Sequence, residues 1–183
     1  MGDCLFEALS DQLKRLTSAQ VSANNLRQLL LECIQVHPIL PNGEHVMTLF
    51  DSEDNKDWQQ FAATLEPTED LPNRQLSWYT DEYMAKPGVW GDNLMLYAFT
   101  KLYGIDVAIY SAGTDEPYTM AAEDEHGNQQ RMTAKLGFIP HLHFVSVINK
   151  TGKKSEGDGV DTVFEQDYAK TWALHKITPG TVE

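Results

Sequence analysis

GDCLFEALSDQLKRL, residues 2–16, places a cysteine directly at the start of an amphipathic helix. Four leucines recur in it at three- and four-residue intervals, the spacing of a helix that buries one face: Leu5, Leu9, Leu13 and Leu16. The positive end of a helix dipole stabilises a thiolate, and Cys4 would lie at that end. Gly2 lets the backbone turn tightly, so that amide N–H groups can point at an incoming carbonyl, as an oxyanion hole requires. Cys4 is therefore a candidate nucleophile, although a cysteine at a helix start is more often a small buried side chain.

A thiol nucleophile needs a base, and two histidines near the end of the apolar sequence offer one. His141 and His143 lie in HLHFVSVIN, residues 141–149, which is strongly β-forming. Side chains two residues apart on a strand share a face, so either histidine could approach another element. A solvent-facing histidine is the alternative for each. The other four histidines fall in predicted loops or in the tail and are interpreted as surface residues: His37, His45, His126 and His175.

The composition predicts one globular domain with a short appendage. The chain has 183 residues, of which 42% are hydrophobic and 22% charged, which disfavours disorder and fibrous repeats. Fourteen Lys and Arg against 27 Asp and Glu give a net charge of −13, which would repel phosphates, so we expect no nucleic-acid partner.

The number of cysteines restricts the kinds of disulfide and metal site that the chain can form. The length of its apolar runs bears on membrane association and cellular location. Two cysteines, Cys4 and Cys33, indicate neither a disulfide framework nor a four-cysteine zinc site, and further ligands for a histidine-based metal site are not apparent. No run approaches the roughly 18 apolar residues of a membrane helix, and no signal peptide is recognisable. We expect no metal, no membrane association and an intracellular, cytoplasmic location, with the nucleus as an open alternative.

Periodicity and capping residues predict the remaining elements. A second helix over residues 23–36 is followed by loops with short helical turns over 38–72. Ser77 is expected to cap a helix over 78–86, and Asp92 a helix that ends at Gly104. Strands are predicted over 105–110, 118–122, 132–139 and 141–149. In the second helix, five side chains are expected to face inward: Leu26, Leu29, Leu30, Cys33 and Ile34.

A change of composition divides the chain after residue 149. Residues 1–149 form the predicted domain, and residues 150–160, rich in Gly and Lys, are a predicted flexible linker. Residues 161–183 are predicted to form a C-terminal helix and tail. Its aromatic stripe, Phe164, Tyr168 and Trp172, favours packing on the domain over a partner site.

Four stretches in chain order resemble the ovarian tumour (OTU) family of cysteine proteases. GDCLFEALSDQL, residues 2–13, resembles its cysteine box, in which Asp-Gly-x-Cys-Leu-Phe opens the catalytic helix. WGDNLML, residues 90–96, resembles its Trp-Gly turn and following helix, and IDVAIY, residues 105–110, its next strand. HFVSV, residues 143–147, resembles its His-aromatic-x-Ser-Val box. The resemblance spans residues 2–149.

The resemblance implies an α+β, papain-like fold with a central sheet of about four to six strands flanked by helices. It implies a deubiquitinase in which Cys4 attacks the isopeptide carbonyl after the ubiquitin C-terminus and His143 transfers the protons. It also implies backbone amides of Asp3 and Cys4 at the oxyanion, no cofactor and, as substrates, conjugates of ubiquitin or a ubiquitin-like protein. Separately from the resemblance, we expect a monomer. Supporting roles are expected for Gly2 and for three residues around the Trp-Gly turn: Trp90, Gly91 and Asn93. For these three residues the alternatives are structural: Trp90 in the core, Gly91 at the start of a helix and Asn93 as a helix cap.

Two positions depart from the family pattern. The Asp usually found three residues before the nucleophile is replaced by Met1, which is expected if the domain is truncated at its N-terminus or begins at an internal methionine. The Asn or Asp usually found two residues after the catalytic histidine is Val145, which cannot accept a hydrogen bond. Two alternatives therefore stay open: a catalytically impaired module that binds ubiquitin, and a papain-like hydrolase acting on another modifier or acyl substrate.

Overall fold

Three helices and one sheet bring the two ends of the described chain together. The structure, a computed structural model, describes residues 2–66, 70–111, 114–123, 131–139 and 143–148. His126, His141 and His175, the predicted linker over 150–160 and the predicted tail over 161–183 lie outside these residues.

Helices occupy most of the first hundred residues. The α-helices are α1 (Cys4–Thr17), α2 (Ala23–Val36), α3 (Lys56–Ala62), α4 (Leu71–Trp78) and α5 (Asn93–Tyr103). A 3₁₀ helix spans Val46–Leu49, and a π-helical segment, Tyr79–Tyr83, continues α4. The predicted boundaries of α1, α2 and α5 are confirmed to within one or two residues.

Capping explains these boundaries. The Ser22 hydroxyl accepts the Asn25 N–H at 3.2 Å before α2, and the Asp92 carboxylate accepts the N–H groups of Leu94 and Met95 before α5. Gly104 ends α5 with a φ of 63°, in the left-handed region that glycine adopts without a steric penalty. None of the described helices combines the length and the apolarity that a membrane span needs.

The predicted start of the fourth helix at Ser77 is wrong. The helix begins at Leu71, where the Asp70 carboxylate accepts the Asn73 N–H and Pro72 lies in the first turn, and Ser77 lies inside it. Proline is favoured in a first helical turn because its missing N–H is not needed there. From the sequence, this Asp-Leu-Pro stretch is expected to lie in a loop.

The inward face of α2 also differs from the prediction. Leu26, Leu30, Cys33 and Ile34 are buried as expected, but Leu29 is 39% exposed. Leu31 and Arg27 are buried instead. Arg27, Leu30, Leu31 and Ile34 follow the spacing of one helix face, so the buried arginine takes a position that the periodicity would assign to an apolar residue.

Four strands form one sheet in the order β2-β1-β3-β4 within the described residues. The strands are β1 (Asp106–Ser111), β2 (Tyr118–Met120), β3 (Thr133–Ile139) and β4 (His143–Ser146). β1 and β3 are parallel, and the other two pairs are antiparallel. Helix α1 packs against β3 and β4, α5 packs against β1 and β2, and α2 lies against both helices. The expected α+β architecture is confirmed, with β4 beside the helix that Cys4 begins.

Candidate active site

Cys4 is the first residue of α1 and is 4% exposed. Gly2 lies against the carbonyl of Gly88, and a Cβ added at Gly2 would come within 1.7 Å of that oxygen. Because it has no side chain, Gly2 thus allows two backbone segments to approach each other closely. A side chain there would separate residues 2–4, which we call the cysteine loop, from residues 84–92, which we call the Trp-Gly loop.

The strand that carries His143 lies directly at the thiol. The N–H of Phe144 donates to Sγ of Cys4 at 3.5 Å, which brings together two parts of the chain that are 140 residues apart. His143 immediately precedes this amide and is exposed, and no described residue forms a hydrogen bond with its imidazole. The cysteine and histidine boxes therefore meet at one end of α1, with the imidazole open to solvent.

A buried glutamine holds β4 against α1. Gln12 is two turns along α1 from Cys4 and is 4% exposed. Its amide oxygen accepts the Lys135 N–H at 2.8 Å, and its nitrogen donates to the Ser146 hydroxyl at 2.8 Å and to the Val147 carbonyl at 2.9 Å. The Ser146 hydroxyl in turn donates to the Asp11 carboxylate at 2.5 Å. One side chain of the cysteine helix thus fixes both β3 and β4.

A buried arginine connects the residue before the nucleophile to the Trp-Gly loop. The Arg27 guanidinium, 1% exposed, donates to the Asp3 carboxylate at 2.6 Å and to the carbonyls of Met84 and Val89 at 2.8 and 2.9 Å. It also lies 3.9 Å from the ring centroid of Phe6 on α1. The pairing with Arg27 lowers the pKa of Asp3, because it stabilises the ionised carboxylate.

The start of α1 has no side-chain cap, although Asp3 occupies the capping position. Its carboxylate accepts from Arg27 and, at 3.3 Å, from the Gly88 N–H instead. No described residue accepts a hydrogen bond from the N–H of Asp3 or Cys4. These two amides are therefore available for an oxyanion.

The Trp-Gly loop packs on the first turn of α1. A Cβ at Gly91 would lie 2.4 Å from Cδ2 of Leu5 and 3.2 Å from Cε2 of Phe6. Trp90 is 42% exposed, so the alternative of a core tryptophan is wrong. Asn93 is exposed in the first turn of α5, and the capping residue there is Asp92.

A buried tyrosine anchors the end of this loop. The Tyr79 hydroxyl donates to both carboxylate oxygens of Asp92, at 2.8 and 3.0 Å. Burial raises the pKa of Asp92, because desolvation disfavours its charged form. The same effect raises the pKa of Tyr79. Tyr79 begins the π-helical segment, an irregularity often found near functional sites.

The second cysteine is a core residue, as predicted. Cys33 is buried on α2, and burial raises the pKa of its thiol. Among the described residues, no three His, Cys, Asp or Glu side chains lie close enough to hold a metal ion. Of the two cysteines, Cys4 is thus the one that begins a helix and lies beside the strand that carries His143.

The sequence motifs do not identify Arg27, Gln12 or Tyr79 as part of the site. For two of them the sequence contains a signal: Arg27 and Gln12 are polar residues at positions where the helical period predicts apolar ones. Gln12 lies three residues after Leu9 and seven after Leu5, which places it on the leucine stripe. A buried polar side chain requires partners, and such a position therefore indicates a structural hydrogen-bond network.

Comparison with known proteins agrees with this arrangement. The OTU-like cysteine protease family matches residues 1–147, while no curated protein sequence matches the chain. An OTU deubiquitinase from Wolbachia pipientis wMel is similar in structure, with 15% identity, 85% of this chain and 87% of that chain covered, and a TM-score of 0.51. The viral OTU domain protease from Farallon virus is 14% identical, with 79% and 77% covered and a TM-score of 0.51. These likenesses confirm the papain-like OTU fold, and from the family match over most of its length the chain belongs to the OTU-like cysteine proteases.

Proposed function

We propose that this protein is a thiol-dependent deubiquitinase with Cys4 as nucleophile and His143 as general base and acid. The observation that carries the proposal is the contact of the Phe144 N–H with Sγ of Cys4. This contact puts the histidine strand beside a thiol at the positive end of α1. The position explains why Cys4, and not the core residue Cys33, would react.

The reaction follows from this arrangement. His143 removes the thiol proton, and the sulfur attacks the carbonyl that joins the ubiquitin C-terminus to a lysine. The N–H groups of Asp3 and Cys4 receive the developing oxyanion. His143 then protonates the leaving amine, and water hydrolyses the thioester, so that no cofactor takes part in the cycle.

Ubiquitin as the modifier is supported by the family and by the Wolbachia neighbour, which is itself described as a deubiquitinase. The negative net charge of the chain disfavours nucleic acid as a partner. Our proposal further takes the enzyme to be an intracellular monomer without membrane or nucleic-acid partners.

A ubiquitin probe with a C-terminal electrophile tests the proposal. We expect one adduct per chain, mapped by mass spectrometry to Cys4, and the Cys33→Ala variant should react as the wild type does. Cys4→Ala should abolish the adduct. Labelling at Cys33, or at both cysteines equally, would contradict the assignment.

A second candidate function is a ubiquitin-binding module with impaired catalysis. The observation that favours it is Val145, which shares the strand face of His143 and offers its ring no hydrogen bond. In that case the probe would leave Cys4 unlabelled, while isothermal calorimetry would still detect ubiquitin binding. Absence of both labelling and binding would favour a papain-like hydrolase with another substrate.

A further inference from the structure

Asp3, the residue before the nucleophile, does not form the helix cap that its position in the sequence predicts. An aspartate before a helix normally accepts N–H groups of the first turn, which for Asp3 would be those of Leu5 or Phe6. Asp3 makes no such bond, and its carboxylate is held by Arg27 and by the Gly88 N–H. The N–H groups of the first turn of α1 therefore receive no hydrogen bond from the Asp3 carboxylate, and the acidic residue within that turn, Glu7, is exposed.

A carboxylate capping α1 would work against the chemistry assigned to this end of the helix. It would occupy the positive end of the dipole, where a thiolate and then an oxyanion develop. A negative group there would repel both species. The family reaction thus benefits when the Asp3 carboxylate is both displaced and neutralised.

Arg27 has the contacts that this task requires. Its guanidinium is fixed by the carbonyls of Met84 and Val89 and by the face of Phe6, so it cannot follow Asp3 if the carboxylate moves. Because it is buried, its charge requires a partner of opposite sign, and Asp3 is the carboxylate it contacts. The pair joins α2 to the residue directly before the nucleophile.

We infer that Arg27 is a positioning residue that draws the Asp3 carboxylate away from the start of α1 and so keeps its negative charge from opposing the thiolate and the oxyanion that form there. This inference rests on the proposed role of Cys4 as nucleophile. The contacts of the buried Arg27 are with Asp3, Met84, Val89 and the ring of Phe6, and it acts on the start of α1 through Asp3. Substitution of Arg27 should therefore lower turnover only while the Asp3 carboxylate is present. If Arg27 were merely structural, its substitution would lower turnover with or without that carboxylate.

A double-mutant cycle on the full chain tests this dependence. We expect Arg27→Met to lower kcat on a ubiquitin substrate about tenfold and to leave KM nearly unchanged, since the released carboxylate opposes charge development near the helix end. Asp3→Ala alone should lower kcat as well, because it leaves Arg27 unpaired. In the Arg27→Met background, however, Asp3→Ala should raise kcat several-fold. A double variant no faster than Arg27→Met would overturn the inference.

Two further measurements separate this inference from folding and from the proposed function. If Arg27→Met does not fold, as judged by circular dichroism, Arg27→Gln replaces it, because glutamine keeps donors for the carbonyls and lacks the charge. Alkylation of Cys4 by iodoacetamide, followed by mass mapping, requires no ubiquitin. It should slow in the arginine variant and recover in the double variant even if the natural substrate is not ubiquitin. Unchanged alkylation of Cys4 in the single variant would also contradict the inference.

Arg131→Met is the matched control. Arg131 likewise pairs with a carboxylate, that of Asp106 at 3.2 Å, and donates to a carbonyl, that of Ala122 at 2.8 Å. It precedes the start of β3, whereas His143 pairs with Ile139 at the other end of that strand. This variant should leave the alkylation rate of Cys4 unchanged. If that rate falls equally in both arginine variants, Arg27 contributes only to general stability.

Discussion

At the scale of single residues, no described residue offers the exposed His143 ring a hydrogen bond that would fix its tautomer. Its neighbour on the same face is Val145, which pairs across the sheet with Gly137. Since glycine has no side chain, residue 137 contributes none that would crowd a polar group at position 145.

Val145→Asn should therefore raise kcat on a ubiquitin substrate by about threefold or more, because an oriented imidazole presents the correct nitrogen to the thiol. KM should change little, since tautomer control matters most in the transition state. Steady-state kinetics measure both constants. Val145→Leu is the control of similar size without an acceptor. Equal rates for the two variants would show that Val145 does not limit turnover.

The identity of the base is a separate prediction. His143→Gln should reduce turnover by at least about a hundredfold, whereas His141→Gln should retain most of it. The reason is that His143 adjoins the amide that contacts the Cys4 sulfur. Turnover assays on both variants, with binding of ubiquitin measured in parallel, decide between them. The reverse pattern would assign the base to His141.

At the scale of elements, the alignment of α1 with β4 depends on Gln12. Gln12→Met keeps the length of the side chain and removes its hydrogen bonds to β3 and β4. The half-buried Lys135 N–H and the buried Val147 carbonyl would lose their glutamine partner. We expect the free energy of unfolding to fall by about 2 kcal/mol and the rate of probe labelling at Cys4 to fall with it.

Urea unfolding and labelling kinetics check this prediction. Gln28→Met, on the exposed face of α2, is the matched control and should change neither quantity. If the two methionine variants behave alike, Gln12 does not hold the histidine strand in place.

The elements that sequence predicts well are those with local signals. α1, α2 and α5 combine an apolar period with a cap or a left-handed terminal residue, and their bounds were predicted closely. The sequence predicts the start of the fourth helix several residues too late, because Asp70 and Pro72 are as typical of a loop as of a helix start. Cys4 and His143 were recognisable from short motifs around them. Arg27 and Gln12 were not, since their burial depends on partners far away in the sequence.

At the scale of the whole molecule, three distant segments form the candidate site. The cysteine loop, the Trp-Gly loop and β4 meet at the N-terminal end of α1 through backbone contacts and buried polar side chains. The reactivity of Cys4 should therefore depend on how closely the Trp-Gly loop approaches α1, and Gly91 sets that distance.

Gly91→Ala tests this dependence. The added methyl group would meet both the Cδ2 and Cβ atoms of Leu5, at 2.4 and 3.2 Å, and the ring of Phe6, on which Arg27 is stacked. Leu5 can move only in part because its whole side chain is buried. Overpacking of this kind costs about 1–3 kcal/mol, and here it would also displace the loop that contacts Asp3. We expect a lower melting temperature together with slower labelling of Cys4 well below that temperature.

Gly43→Ala distinguishes the loss of stability from the loss of geometry. Gly43 has a φ of +88°, and a Cβ added there meets no atom within 4 Å. The substitution therefore strains the backbone by about 1 kcal/mol without contacting the site. It should lower the melting temperature and leave the labelling rate of Cys4 unchanged under conditions where the protein is folded. If Gly91→Ala labels as fast as Gly43→Ala, the Trp-Gly loop contributes to stability alone. If only Gly91→Ala is slow, the packing of this loop on α1 controls the nucleophile.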